Sequence, residues 1–179
     1  VQVVDGSFTD AIDFWASGFK AVGSSATLFS VRDCGLVPNA LNSTKMFQGA
    51  VIQGNLCVEV PKDETGLVVY YEGDFSKTWF QASQPDSIEV LREVSAEVII
   101  DPLVNIGTRR TNPIFAGMTL LTDDGLGITV MSVDEDAWPE VQAQGGSTPP
   151  KLGHRFNTVE VRVQVVDGYF TNAIGVSDS

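Results

Sequence analysis

Along this chain, apolar and polar positions alternate with a period of two far more often than with the period of a helix. The clearest run is TVEVRVQVV, residues 158–166. Val159, Val161, Val163 and Val165 fall on one side of it; Glu160, Arg162 and Gln164 fall on the other. Successive side chains of a strand point to opposite faces, so the run predicts a strand with one buried and one wet face. NLCVEV repeats the pattern, with Leu56, Val58 and Val60 alternating with Asn55, Cys57 and Glu59. PKDETG then supplies turn chemistry through Pro61 and Gly66. LVVYYEG comes next, dense in β-branched and aromatic residues. Residues 51–73 therefore read as an antiparallel hairpin with a longer loop. Further strands are expected at TLFSV (27–31), SIEVLREV (87–94), AEVII (96–100), GMTLL (117–121) and GITVMSV (127–133), with TDDG (122–125) turning between the last two.

Helical pattern is scarce. TDAIDFWASGFKAV (9–22) predicts one helix, capped by Thr9 or Asp10, with Ala11, Phe14, Trp15 and Phe19 near one face. Gly18 is unfavourable inside it. SKTWFQAS (76–83) reads as a short turn of helix. QAQGGSTPPKLGHRFN (142–157) and NIGTRRTNP (105–113) read as long loops, the first held out of regular structure by its Gly and Pro residues. A set of about eight strands leaves too much apolar face for one open sheet. The expected fold is all-β: an eight-stranded jelly-roll β-sandwich with long loops and one or two short helices. An immunoglobulin-like sandwich fits less well, because no Cys…Trp…Cys core is present. We place an N-terminal extension at 1–22, the sandwich at 23–166 and a tail at 167–179.

Composition sharpens this picture in three ways. A chain of 179 residues with 43% apolar content is long enough to bury a single core. It holds no run of about 20 apolar residues that would span a bilayer as a helix. VQVVDG at the start lacks the basic and apolar regions of a signal peptide. The net charge is −12, and the only adjacent basic pair is Arg109-Arg110. Tight sequence-independent nucleic-acid binding needs clustered cations, so it is not expected. Cys34 and Cys57 are the two cysteines. They are expected to be buried free thiols in a reducing compartment.

Candidate chemistry is thin. The single histidine, His154, lies in the long Gly/Pro-rich segment, and no G-x-S-x-G elbow accompanies it. It is expected to be a dispensable surface residue. Asp123-Asp124 and Asp134-Glu135-Asp136 lack EF-hand spacing and read as solvated turn carboxylates. Asn42-Ser43-Thr44 matches a glycosylation pattern but is taken as loop chemistry. Trp15, Trp79 and Trp138 are widely spaced and read as core or interface anchors. No catalytic, cofactor-binding or metal-ligating residue is predicted, and no cofactor. The expectation is a non-enzymatic binding or structural module.

The stretch VIQGNLCVEVPKDETGLVVYYEGDF resembles the second and third strands of a viral jelly-roll coat domain. The later segments keep the order of such a domain: a loop, SIEVLREVSAEVIIDPL, GMTLLTDDGLGITVMSV, a long loop, and TVEVRVQVV as last strand. Over roughly residues 45–166 the chain is similar to coat proteins of the plant picorna-like viruses, the secovirids (comoviruses, nepoviruses, cheraviruses). The resemblance is one of hydrophobic pattern and loop order. It implies a capsid subunit cut from a polyprotein, found in the virion and in the host cytoplasm during assembly. Its partners would be other capsid subunits, with weak or no direct RNA contact and no membrane. The acidic balance departs from coats whose basic arms hold the genome. A phage decoration or tail protein, and a β-sandwich carbohydrate-binding or enzymatic domain, stand as alternatives.

The two ends are nearly the same. VQVVDGSFTDAI (1–12) and VQVVDGYFTNAI (163–174) are identical at ten of twelve positions. Identity stops there, at DFWAS against GVSDS. Three explanations are open: a slippage duplication, a chain drawn from a tandem array of similar modules, or two docking strands lying on neighbouring subunits. The third makes Val1, Val3, Phe8, Ile12, Phe170 and Ile174 the inter-subunit contact candidates, with Phe8 and Phe170 as aromatic anchors.

Overall fold

The computed structural model describes residues 11–73, 77–81, 99–100, 106–122 and 125–166. In chain order the elements are β1 (Ile12–Phe14), a 3-10 turn (Ala16–Gly18), β2 (Phe19–Val22), β3 (Leu28–Ser30), β4 (Thr44–Met46), β5 (Val51–Pro61), β6 (Val68–Glu72) and β7 (Lys77–Gln81). They continue with β8 (Ile99–Ile100), β9 (Thr119–Leu121), β10 (Leu126–Glu135), helix α1 (Trp138–Ala143) and β11 (His154–Val165). The fold is all-β. One sheet has the order β5-β11-β10-β9-β8, a second has β3-β2-β6-β7, and β1 and β4 form a two-stranded ribbon.

β11 lies inside the first sheet, between β5 and β10, and its inward face is a row of valines. Val159, Val161, Val163 and Val165 are buried, and Glu160, Arg162 and Gln164 are only half-buried on the opposite face. β11 pairs with β5 on one side and β10 on the other, both antiparallel. β10 holds the same phase through Leu126, Ile128 and Val130; an irregularity between Val130 and Ser132 then resets it, so that Val133 pairs with Val159. β10 also pairs with β9 across the tight turn that ends at Gly125, as TDDG predicts. Asp123 and Asp124 themselves lie outside the described residues.

The second sheet covers this valine face. Phe19, Val69, Tyr71 and Phe80 from β2, β6 and β7 share one core cluster with Leu56, Ile128, Val130 and the β11 valines. Phe14, Phe19 and Tyr71 run through it as tilted ring pairs, 6.2 and 4.8 Å between centroids. Two sheets packed on one core make a sandwich. In the first sheet β9, β10 and β11 lie side by side in chain order, antiparallel, and β5 lies antiparallel beside β11.

The structure overturns several local expectations. Residues 51–73 are not a hairpin. β5 pairs with β11 and β6 pairs with β2 and β7, so the turn after Pro61 carries the chain from one sheet to the other. Segment 9–22 is not helical over its described part. It forms β1, the 3-10 turn and β2, and so belongs to the sandwich rather than to an extension. Gly18 marks the reason: a Cβ there would stand 2.9 Å from the Glu72 carbonyl oxygen, an approach that only glycine permits. SKTWFQAS contains β7, not helix, because Trp79 stacks outward on Tyr70 while Thr78 and Phe80 turn inward to burial. The segment 142–157 is a loop only in its middle. α1 precedes it, started by Pro139 near its N-terminus, and β11 begins at His154. TLFSV, GMTLL and GITVMSV each hold a strand, and 106–113 is a loop. Of AEVII only Ile99 and Ile100 are described, as β8 parallel to β9, and SIEVLREV lies outside the described residues. Among the described residues, no helix is long and apolar enough to cross a membrane.

Candidate functional site

The outward residues of β5 are where sequence and structure part most. Alternation makes Asn55, Cys57 and Glu59 the wet face. Cys57 and Glu59 are buried and Asn55 is half-buried. A strap formed by residues 31–43 covers them. Val31 bridges to Val58, Arg32 N–H donates to the Cys57 carbonyl (3.0 Å), and Leu41 N–H donates to the Asn55 carbonyl (2.9 Å). Asn55 returns its own N–H to the Asn39 carbonyl (2.8 Å) and its side-chain amide to the Pro38 carbonyl (2.8 Å). Edge N–H and C=O groups of β5 that would otherwise face solvent are therefore satisfied within the chain. Gly54 makes the crossing possible, since a Cβ there would lie 2.3 Å from the Asn39 carbonyl oxygen.

The strap is also tied covalently. Cys34 and Cys57 form a disulfide, with Cα atoms 6.1 Å apart, which corrects the expectation of free thiols. Their spacing along the chain carries no hint of it, because the two residues meet only once the strap has crossed β5. Around the bridge lies a small apolar layer on the outside of the sheet. Phe156 and Ala137 are buried in it, with Val37 and Trp138 packed alongside. Trp138 meets Phe156 edge-on at 6.0 Å. Beyond it, the buried Glu59 carboxylate pairs with Arg32 and accepts the Lys151 backbone N–H (2.6 Å). A buried carboxylate is tolerated because both of its oxygens are bound.

Strap and sheet together leave a cleft of about 480 Å³, lined among others by Ala16, Asp33, Asn42, Ser43, Asn55 and the disulfide. Its hydrogen-bonding groups are mostly neutral. Among the described residues that line it, the one cation, Arg32, is engaged by Glu59. Ser43 Oγ accepts the Ala16 backbone N–H at 3.0 Å, a structural use of that hydroxyl. The cleft presents both polar and apolar contact area.

A second polar cluster pins loops of the other sheet. Glu64, buried, accepts the Ser25 hydroxyl (2.7 Å), the Ser25 backbone N–H (2.7 Å) and the Ser24 hydroxyl (3.1 Å). These bonds, with the charge of Arg110 nearby, hold its carboxyl below the usual carboxylate range against the opposing effect of burial. Glu72 is lowered likewise, chiefly by hydrogen bonds from Lys20 and Lys77.

The sequence-predicted residues do not converge on either place. Ile12 opens β1 opposite Met46 and packs, half-buried, against the main core of its own chain. Val1, Val3, Phe8, Phe170 and Ile174 lie outside the described residues. His154 is the first residue of β11 rather than a loop residue; it sits across from Pro61, its Nδ1 3.3 Å from the Leu152 carbonyl. The three tryptophans sit on separate elements: Trp15 exposed after β1, Trp79 on β7 and Trp138 on α1. Asp134 and Glu135 end β10, where Glu135 pairs with Arg155 at 2.9 Å. Among the described residues, no three His, Cys, Asp or Glu side chains group as a metal site. No family model, curated protein or solved structure matches this chain.

Proposed function

We propose that the chain is a structural shell subunit: a coat protein of a non-enveloped icosahedral RNA virus of the plant picorna-like kind, built as a jelly roll and working by side-to-side packing with like or related subunits. The order of the described strands between residues 51 and 165 supports this reading most. The first long strand, β5, lies against the last, β11. The next strand, β6, passes to the opposite sheet, and β9, β10 and β11 lie side by side in the first. Jelly rolls are two sheets wound from Greek keys, and these are the residues that carry the hydrophobic resemblance to coat domains. The disulfide is chemically at home in a particle that spends time outside cells, since virion surfaces are oxidising surroundings. The charge of −12 favours protein partners over direct contact with RNA.

The test is assembly. The full chain, oxidised, would be followed by sedimentation velocity and electron microscopy over a range of concentration, pH and salt. Rings, shells or capsomer-sized oligomers are the expected outcome. A chain that stays monomeric throughout and binds a defined glycan on an array would instead be a carbohydrate-binding sandwich.

A further inference from the structure

Asn42-Ser43-Thr44 is the only Asn-x-Ser/Thr triplet in the chain, and it spans the junction between the strap and β4. The fold holds its backbone on both sides. Ala40 forms a bridge with Asn55, and the buried Leu41 donates its N–H to the Asn55 carbonyl at 2.9 Å. Thr44 opens β4 opposite Phe14. Between these anchors Ser43 is tied back to the chain, its Oγ accepting the Ala16 N–H at 3.0 Å. The outer two residues of the triplet face water: Asn42 and Thr44 are both exposed. Asn42 Nδ2 donates to the Ala40 carbonyl at 3.4 Å, and Thr44 Oγ1 to the Lys45 carbonyl at 3.5 Å. Those distances are at the long limit of a hydrogen bond, so the fold loses little when either group is engaged elsewhere. N-linked glycosylation uses these two groups, the amide nitrogen as acceptor and the hydroxyl two residues on.

A triplet alone is a weak signal, because short motifs recur by chance. The disulfide is a second and independent observation. Cys34–Cys57 ties down the same strap, and disulfides form and persist in the secretory lumen and outside the cell. Glycosylated Asn-x-Ser/Thr triplets belong to surface segments of proteins that pass through that compartment. We propose that Asn42 is an N-glycosylation site, and that the chain acquires its disulfide and its glycan in one oxidising secretory compartment. The donor class is an oligosaccharide joined to a membrane lipid through pyrophosphate, handled by a membrane transferase. Asn42 Nδ2 forms a bond to the anomeric carbon. The bond from that carbon to the pyrophosphate oxygen breaks, and its electron pair leaves with the lipid pyrophosphate. The amide gives up one proton, and nothing is oxidised or reduced. Asn42 also lines the cleft, so the oligosaccharide stands at its rim. Trp15 adjoins it: the residue follows Phe14 where Ser43 precedes Thr44 in the antiparallel register, and it is exposed. An exposed indole there offers the first sugars an apolar face.

The glycan site stands apart from the coat reading. It replaces the cytoplasm, which the resemblance implies, with a secretory lumen as the place where the chain folds. Assembly is read by sedimentation and the glycan by mass, so either can fail alone. For the test, the full chain is directed into the lumen of insect or plant cells by a cleavable leader and recovered from medium and cell lysate alike. Peptides are mapped by mass before and after an amidase that removes N-linked glycans and leaves an aspartate. The peptide containing Asn42 is expected to carry a glycan in chains whose Cys34–Cys57 bridge has formed. Asn42→Gln and Thr44→Ala should each lose the whole mass shift. Thr44→Ser should keep it, and so should Ser43→Ala, although that variant removes the bond to Ala16. Bridged chains left unmodified at Asn42 overturn the inference. A glycan found only on chains that lack the bridge overturns it equally, since the modified site would then be incompatible with the fold.

Discussion

Along β5 and β11 the outer face of the five-stranded sheet changes character halfway. At one end Gln53 reaches across to Glu160, 2.8 Å between side chains, and both remain open to solvent or nearly so. At the other end the same face carries Cys57, Glu59 and Phe156, buried under the strap, α1 and the loop before β11. The strands, the pairing and the alternation are the same in both halves. Only the cover above them differs. Alternation therefore identifies the core face of a strand but leaves the other face undecided, because its burial depends on segments far away in sequence.

Releasing the cover should separate the two halves most severely. Replacing Cys34 and Cys57 with Ala should cost about 3 kcal/mol in urea unfolding, the scale for a disulfide closing a loop of this kind. Exchange protection should fall first at Leu41 and Asn55, whose backbone bonds hold strap to strand. Protection lost equally at Val161 would mean that the covered and bare halves are not separate layers. Val161 lies beneath both, fully buried, and Val161→Ala should cost about 1–3 kcal/mol in the same assay. Glu59→Gln weakens the polar clamp at the covered end and is expected to cost about 1.5 kcal/mol.

Acid separates the cover from the loops of the second sheet. The folded state holds the Glu64 carboxyl below its ordinary pKa, so its contribution is complete above about pH 4.3 and disappears as the pH falls through the folded value. Stability of the wild-type chain should drop more steeply in that window than that of Glu64→Gln. Parallel pH curves would assign the acid sensitivity elsewhere. At the small end, Gln53→Ala on the bare half and His154→Ala should each shift stability by less than about 0.5 kcal/mol. A larger loss for Gln53→Ala would show that the bare half is more than a solvated surface.

Strand existence was legible wherever period-two alternation was long, as in β11, β10 and β5, because one-sided burial writes itself into local sequence. The segment 9–22 carries helical spacing without forming a helix over its described part, for a physical reason. Ala11, Phe14, Trp15 and Phe19 satisfy helical spacing, yet Phe14 and Phe19 are buried from two different strands around a 3-10 turn, and Trp15 is exposed. Nothing local separates those arrangements except Gly18, whose need comes from Glu72 across the sheet. The candidate cleft was not legible, since its walls are a strap and a strand that meet only in the fold.

By itself, then, the sequence determined which faces are apolar, where the chain turns, and that the protein is all-β; these follow from side-chain alternation and turn chemistry within a few residues. The tertiary structure alone decided that β5 pairs with β11 rather than with β6, that Cys34 finds Cys57, and that Glu59 is buried with Arg32 and the Lys151 amide. Each of those is a contact between distant segments. Its stability comes from surfaces and hydrogen-bonding groups that come together only when the two sheets close on one core.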